Sequence, residues 1–221
     1  MIEAFKINTV LESIKIPLCK AESQPLFNSL LKEGLSDYNV YLRTFRKIVK
    51  EPDINYFIGG MYNSLTDRIH LQFTLPRENK CLTIGSKSEW IQFKFLFSQT
   101  LQHEIIHRSQ ALFRENEEFN FQPSDLKSQE TEIFTAEENK EYLSDKDEID
   151  AYGHDIALEI LYRYKFLNPI EVLKNIDKYK KVWAYRYYKD TFKDNPSEWC
   201  SIKNRLLKKT FLWLPYSTVY F

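Results

Sequence analysis

The chain is poor in the residues that carry several common functions. Its five glycines form no glycine-rich phosphate loop. Its three cysteines, Cys19, Cys81 and Cys200, are isolated and odd in number, which argues against a disulfide framework and against a C-x-x-C zinc site. No apolar run approaches the length of about 18 residues that a transmembrane helix needs. No internal repeat and no Ser/His/Asp nucleophile motif is visible either.

The composition is that of a globular domain with a large aromatic core. The 221 residues are 43% hydrophobic and 15% aromatic, which is enough for a sizeable core. The opening residues, Met1 to Lys6, lack the charged and then apolar pattern of a secretory signal peptide. Together with the isolated cysteines, this pattern predicts a cytoplasmic protein.

The most informative stretch is His103-Glu104-Ile105-Ile106-His107, an HExxH pattern. Because an α-helix has 3.6 residues per turn, histidines four positions apart project from one face and can bind a single Zn²⁺. The glutamate beside the first histidine can act as general base toward a metal-bound water. The chain has four histidines, and two of them are found here. The alternative is a chance match, with two core histidines hydrogen-bonded to carboxylates.

The flanking sequence predicts that this pattern lies on a long, buried helix. Ser86 and Glu89 fit a capping box, and no glycine or proline occurs between about residues 87 and 113. Apolar residues recur at helical spacing along the whole segment: Trp90, Phe93, Phe97, Leu101 and Ile105, with Leu96 and Ile106 beside them. Buried imidazoles need partners, and a metal ion is one way of satisfying them.

A second helix is predicted downstream, and it offers further ligands. Residues 142–155 carry the capping and first-turn residues Ser144, Asp145 and Asp147, so a helix should run from there to about Arg163. A catalytic zinc usually takes three protein ligands and leaves a fourth position to water. The second helix is therefore the place to look for the third ligand.

Several side chains compete for that third position. Glu148 and Asp150 are both suitable, but a helix turns by about 200° in two residues, so both cannot easily face one ion. His154 is another candidate, either as a ligand or as a hydrogen-bond donor to one, and its alternative is a surface or cleft histidine. The small residues Ala151 and Gly153 would allow this helix to approach another closely.

HExxH followed on a second helix by a glutamate resembles the gluzincin branch of the zinc metallopeptidases. The string Glu148-Ile149-Asp150-Ala151 is similar to the E-x-x-A pattern of small zincin-like peptidases of phages and of the ImmA/IrrE type. The resemblance covers roughly residues 56–160, with specific matches at the two helices only. It implies that His103, His107 and Glu148 bind Zn²⁺ and that Glu104 is the catalytic base. It also implies a protein or peptide substrate, and the host cytoplasm if the protein is of phage origin.

A β-hairpin is predicted ahead of the histidine helix. Its strands are Tyr56–Tyr62 and Arg68–Leu75, and the polar turn Asn63–Asp67 joins them. The resemblance implies that an edge of this sheet lies beside the metal helix, where an extended peptide can add as a further strand. The alternative is a hairpin that only packs on the helix. The pair Gly59-Gly60 indicates a bulge or close packing.

These patterns predict an α+β zincin-like domain, mainly helical, with a small β-sheet in its N-terminal half. Residues 1–55 should form a helical brace, with amphipathic helices at Gln24–Glu33 and Asp37–Lys50 separated by Gly34. Residues 56–162 should form the metallopeptidase core, interrupted by an acidic insertion at 114–144. Residues 163–221 should form a helical C-terminal extension.

Zero net charge hides an uneven distribution of charged residues. Residues 115–150 carry 13 acidic and 3 basic side chains, whereas residues 163–209 carry 13 basic and 5 acidic ones. The acidic stretch has no clear period and predicts a long loop, either a solvated insertion or a lid. Its simplest role is attraction to the basic C-terminal region.

The C-terminal region also suggests a different class of function. Bases and aromatics interleave between Lys178 and Lys189, as they do in proteins that bind single-stranded nucleic acids. The favoured interpretation is helices packed on the core through a set of apolar residues: Trp183, Tyr187, Ile202, Leu206 and Leu207. The neutral net charge gives nucleic-acid binding little support.

The expected function is zinc-dependent hydrolysis of a peptide bond, with Glu104 as general base. Such a reaction needs a hydrogen-bond donor to the oxyanion, and four residues could supply it: Tyr152, His154, Tyr185 and Tyr187. Two alternatives are a non-catalytic zincin-like interaction module and a nucleic-acid-associated protein that uses the basic aromatic region.

Overall fold

The computed structural model describes residues 7, 9–12, 33–47, 56–76, 86–115 and 135–215. They form a mainly helical α+β fold with a three-stranded sheet, which confirms the predicted fold class. The chain divides into two compact units, Met1–Arg108 with Tyr220–Phe221, and Ser109–Val219. The predicted helix at Gln24–Glu33 lies outside the described residues except for its last position. Among the helices that are described, none combines the length and apolar character that a membrane crossing requires.

The first unit contains a sheet with strand order β1-β3-β2, formed by β1 (Val40–Lys47), β2 (Phe57–Asn63) and β3 (Arg68–Pro76). Strands β2 and β3 pair antiparallel, which confirms the predicted hairpin. The pairing register continues through Gly59 and Gly60, so the glycine pair does not form a bulge. Strand β1 runs parallel to β3 on the opposite side from β2.

Strand β1 shows that the predicted helix at Asp37–Lys50 was wrong. The segment is rich in β-branched and aromatic residues, which favour extended backbone, although its apolar spacing also fits a helix. Val40 is 7% exposed and Tyr41 is 49% exposed, the alternation of a half-buried strand. Pairing with β3 satisfies the backbone groups of the segment, and that long-range term cannot be seen in the local sequence.

The predicted histidine helix is confirmed as α1, Lys87–Glu115. Ser86 begins it, because its hydroxyl oxygen accepts a hydrogen bond from the amide of Glu89 at 3.2 Å. The predicted apolar stripe is buried along its length, with Trp90, Phe93, Phe97 and Leu101 at most 2% exposed. Phe73 of β3 stacks on two of these rings, with centroids 6.2 Å from Phe93 and 6.1 Å from Phe97. The aromatic core thus fixes the rotation of α1 against the sheet.

An ion pair ties the hairpin turn to α1 immediately after the HExxH pattern. Arg108 donates from Nε to Asp67 Oδ1 at 2.6 Å and from Nη2 to Oδ2 at 2.7 Å. The hydroxyl of Tyr62 donates to Asp67 Oδ1 at 3.2 Å. The hydrogen bonds and charge of the guanidinium hold the pKa of Asp67 below its usual range, against the opposing effect of burial. This bidentate contact positions the turn relative to His107.

The second unit is helical in its described part. Its helices are α2 (Ala136–Ser144), α3 (Lys146–Arg163), α4 (Pro169–Lys174), α5 (Trp183–Thr191) and α6 (Pro196–Trp213). Asp145 is the N-cap of helix α3, and the helix ends at Arg163, as predicted. A Cβ at Gly153 would lie 2.7 Å from Lys209 Cβ and 3.1 Å from the Thr210 amide nitrogen. The expected close approach of helices is therefore found between α3 and α6.

Helix α2 corrects the prediction of a loop through the acidic stretch. Its N-cap, Thr135, accepts a hydrogen bond from the amide of Glu138 at 3.2 Å, and the Glu138 carboxylate accepts one from the Thr135 amide at 2.9 Å. This reciprocal pair is a capping box, and it stabilises the first turn of a highly charged helix. Residues 116–134 of the predicted insertion lie outside the described residues.

The C-terminal helices pack on a core, but partly through other residues than those predicted. Ile202 and Leu206 are buried as expected, whereas Trp183 is 54% exposed and Tyr187 is 42% exposed. Tyr185 and Tyr188 occupy the buried face of α5 instead. Val182, the N-cap of α5, has no side-chain hydrogen bond to the helix start. The buried Glu159 of α3 accepts a hydrogen bond from the Ala184 amide at 3.2 Å, and this contact helps to set the rotation of α5.

Candidate metal centre

The two histidines of the HExxH pattern lie side by side on α1. His103 and His107 are one helical turn apart, and their ring centroids are 4.8 Å apart with 69° between the ring planes. His103 is buried and His107 is half-buried. The packing that fixes the rotation of α1 therefore also fixes both imidazoles.

Glu104 is buried against the strand β2. Glu104 is only 5% exposed. A Cβ added at Gly60 would lie 2.6 Å from Glu104 Oε1, 2.7 Å from Glu104 Cγ and 2.8 Å from Thr100 Cγ2. Glycine at position 60 is what allows α1 and β2 to approach so closely. The close packing predicted for the glycine pair is thus confirmed at Gly60.

Gly60→Ala is expected to destabilise the protein by about 1–3 kcal/mol, because the new methyl group overpacks the contact between β2 and α1. The matched control is Gly59→Ala, whose Cβ would meet only Phe57 Cε1 at 3.4 Å, an ordinary contact. Neither glycine has a positive φ, so alanine itself strains neither backbone position. Thermal unfolding of both variants measures the difference. Equal melting temperatures for the two variants would contradict the close approach at Gly60.

Glu148 lies in the first turn of α3, and this turn contacts the last turns of α1 within the second unit. Asp145 caps α3 by accepting a hydrogen bond from the Asp147 amide at 2.7 Å. Gln110 of α1 donates from Nε2 to the Asp147 carbonyl at 3.3 Å, and Arg114 of α1 forms an ion pair with the Asp147 carboxylate. The start of α3 is therefore held against α1 a few residues beyond the HExxH pattern.

Three of the sequence-predicted residues form a group that could hold a metal ion. His103, His107 and Glu148 each offer one ligand atom, and these atoms lie within 4.8 Å of one another. Two imidazole nitrogens and one carboxylate oxygen are a donor set that Zn²⁺ accepts in catalytic sites, where it leaves a fourth position for water. The residues present therefore fit zinc in both number and chemistry.

Asp150, the competing third ligand, is engaged elsewhere. Its Oδ1 accepts a hydrogen bond from Trp213 Nε1 at 3.1 Å and lies 2.9 Å from Lys209 Nζ. Its Oδ2 is 3.5 Å from Gln110 Nε2. Two side chains of α6 therefore contact Oδ1 of Asp150. The structure groups Glu148 with the histidines and directs Asp150 toward α6, in keeping with the large rotation between positions 148 and 150.

His154 is neither a surface nor a cleft histidine. It is 1% exposed and packs edge-on against Trp213, with ring centroids 5.0 Å apart. Its Nδ1 lies 3.9 Å from Asp155 Oδ1, which is beyond hydrogen-bond distance. His154 is absent from the group of candidate metal ligands among the described residues.

The candidate oxyanion donors differ in their surroundings. Tyr185 donates its hydroxyl proton to Asp177 Oδ1 at 2.9 Å, and burial together with this contact raises the pKa of Tyr185. Tyr187 donates to Asn139 Oδ1 at 2.7 Å. The ring of Tyr152 packs against two rings of α5, with centroids 6.2 Å from Tyr187 and 5.2 Å from Tyr188. Tyr185 and Tyr187 therefore already have acceptors of their own.

Tyr188 is the residue near the site that sequence reasoning missed. It is fully buried, and its hydroxyl forms no hydrogen bond with the described residues. Burial raises the pKa of Tyr188, and the charges of Tyr152, Glu148 and Asp155 raise it further. The hydroxyl thus lies in the electrostatic environment of Glu148. Tyr185 and Tyr188 have helical spacing, but so do Trp183 and Tyr187, so the sequence alone did not single out Tyr188.

Comparison with known proteins adds no relative. No protein-family model, curated protein or solved structure matches this chain. The likeness to zincins therefore rests on the residues of the HExxH and E-x-x-A patterns. The geometry of His103, His107 and Glu148 is an observation independent of that likeness.

Proposed function

We propose that this protein is a zinc-dependent metallopeptidase with His103, His107 and Glu148 as the metal ligands. The observation that carries the proposal is the grouping of these three side chains, whose ligand atoms lie within 4.8 Å of one another. When bound there, zinc would polarise the scissile carbonyl and lower the pKa of a water molecule. The open fourth position of such a site is what distinguishes catalytic from structural zinc.

Glu104 is the general base in this proposal. It takes a proton from the attacking water and later delivers it to the leaving amine. It follows His103 in the chain, and its burial against Gly60 restricts the movement of the carboxylate. A carboxylate that the packing of α1 and β2 keeps in one place can transfer protons without first reorganising.

Strand β2 supports a peptide as the substrate. Among the described strands it pairs with β3 alone, so its other edge offers backbone amides and carbonyls to an added strand. Gly60 is exposed and directly adjoins Glu104. An extended peptide hydrogen-bonded along this edge would therefore lie beside the strand that packs on the general base.

The decisive experiment measures zinc by elemental mass spectrometry on purified protein, with Glu148→Ala and Asp150→Ala in parallel. We expect about one zinc per chain in the wild type, loss of zinc in Glu148→Ala, and retention in Asp150→Ala, because losing one of three protein ligands removes most of the affinity. A peptide library incubated with the zinc-loaded wild type then tests for hydrolysis.

The zinc measurement and the hydrolysis assay test different parts of the proposal, and each can contradict its part independently. A wild type that stays free of metal after zinc reconstitution contradicts the metal site. Zinc retained in Glu148→Ala but lost in Asp150→Ala would move the third ligand to Asp150. Zinc bound as expected without hydrolysis of any peptide would favour the non-catalytic interaction module.

A further inference from the structure

The second unit contains a pocket of about 580 Å³ at the end of α1, the start of α3 and the end of α6. Its size lies in the range of about 300–1,000 Å³ that is typical of binding sites for small ligands. Five basic side chains line it: Arg114, Lys146, Arg205, Lys208 and Lys209. Two carboxylates, Asp147 and Asp150, the amide of Gln110 and three apolar residues complete the lining.

The positive charge of the pocket is only partly neutralised. Arg114 pairs with Asp147, and Lys209 Nζ lies 2.9 Å from Asp150 Oδ1, so both carboxylates have cationic partners. Lys146, Arg205 and Lys208 are exposed, and within the described ranges no ion pair involves them. Arg205 makes a single long contact, from Nη1 to the Ser144 carbonyl at 3.4 Å. The excess of positive charge in this lining favours an anionic ligand.

The pocket also has an apolar surface. Phe113 of α1 is 64% exposed and Leu212 of α6 is 52% exposed, and both line the pocket. Exposed large apolar side chains that border a concave site favour a ligand with an apolar part of its own. A single-stranded nucleic acid is disfavoured, because it needs several aromatic platforms along an extended groove, and Phe113 is the one aromatic residue in this lining.

We propose that this pocket binds an acidic segment of a peptide, with its carboxylates on Lys146, Arg205 and Lys208 and an apolar side chain on Phe113 and Leu212. That this peptide is a substrate rests on the proposed function. Arg114 lies two turns beyond His107 on α1, and Asp147 and Ile149 directly flank Glu148 on α3. A segment held in the pocket is thus bound by the same two helices that supply the proposed ligands, and the pocket selects acidic substrates.

Fluorescence anisotropy tests the proposal, with a fluorescein-labelled peptide that alternates glutamate with phenylalanine and leucine. The protein is full-length Glu104→Gln, so that no cleavage interferes with binding. We expect the glutamine analogue of the peptide to bind at least about tenfold more weakly, and binding of the acidic peptide to weaken as salt is raised. Adding Lys208→Glu should weaken binding by about tenfold or more, and adding Phe113→Ala by about fivefold.

The matched control is Lys193→Glu, the same charge reversal at an exposed lysine of the second unit that does not line the pocket. It should leave the affinity within about twofold. Equal affinity for the acidic and glutamine peptides, or equal loss with Lys208→Glu and Lys193→Glu, overturns the proposal. The proposal is also overturned if the protein binds an oligonucleotide but not the peptide, and if Lys208→Glu abolishes that oligonucleotide binding.

Anisotropy requires neither zinc nor turnover, so the two proposals can fail independently. If wild-type protein binds the acidic peptide but cleaves no peptide, peptide binding by the pocket is supported and the metallopeptidase proposal is contradicted. If wild-type protein cleaves acidic and glutamine peptides with equal kcat/KM, the hydrolytic site stands and the pocket is not its selector.

Discussion

Glu104→Gln is expected to lower kcat for peptide hydrolysis by at least about 10²-fold, and up to about 10⁴-fold, while the protein keeps one zinc per chain. The amide has nearly the shape of the carboxylate, so it fills the same space against Gly60. It cannot take a proton from water at neutral pH, however, and that step is the role proposed for Glu104. Steady-state kinetics and metal content, measured on the same preparation, check both halves of the prediction.

The control is Glu89→Gln, the same substitution in the first turn of α1. This residue takes no part in the proposed site, so kcat should stay within about twofold of the wild type. Wild-type turnover in Glu104→Gln would remove Glu104 from the chemistry. Loss of zinc from Glu104→Gln would mean instead that the carboxylate supports the ligands rather than the reaction.

The features of the site that depend on one helix could be predicted from the sequence. A continuous apolar stripe and the absence of glycine and proline specified α1, and helical geometry then placed His103 and His107 on one face. The start of α3 was equally clear, because Asp145 provides a strong N-cap signal. Both helices are long and strongly patterned, and in such segments local preferences and tertiary packing agree.

The features that depend on long-range pairing could not be predicted. Strand β1 forms because β3 lies beside it, and nothing near Val40 in the sequence reveals that partner. On α5, Trp183 and Tyr187 are as apolar as Tyr185 and Tyr188, so local periodicity could not decide which pair would be buried. The start of α2 is different, because the Thr135–Glu138 capping box is a local signal that the sequence itself contains.

The third ligand shows where sequence reasoning reaches its limit. Helical geometry established that Glu148 and Asp150 face different directions, but not which of them joins His103 and His107. That choice depends on α6, a helix about fifty residues away in the chain, which brings Trp213 and Lys209 to Asp150. The same helix buries His154 against Trp213, and so removes a further candidate.

His107→Ala is expected to abolish zinc binding and, with it, the stabilisation that the metal provides. A ligand that binds only the folded state adds about 4 kcal/mol to the free energy of unfolding when its concentration is a thousand times its dissociation constant. The melting temperature of the zinc-loaded wild type should therefore fall by several degrees in a chelator, whereas that of His107→Ala should not change. Differential scanning calorimetry with and without chelator measures this effect.

His70→Ala separates loss of a ligand from loss of any histidine. His70 lies on β3 with its ring centroid 5.5 Å from that of Tyr41, and it does not belong to the candidate metal group. This variant should keep its zinc and the wild-type response to chelator, even if its melting temperature falls slightly. If the melting temperature of the zinc-loaded wild type does not change in the chelator, the proposal that the folded protein binds a metal ion is contradicted. An unchanged chelator response in His107→Ala would remove His107 from the site, because a three-ligand zinc centre cannot lose one ligand without losing most of its affinity.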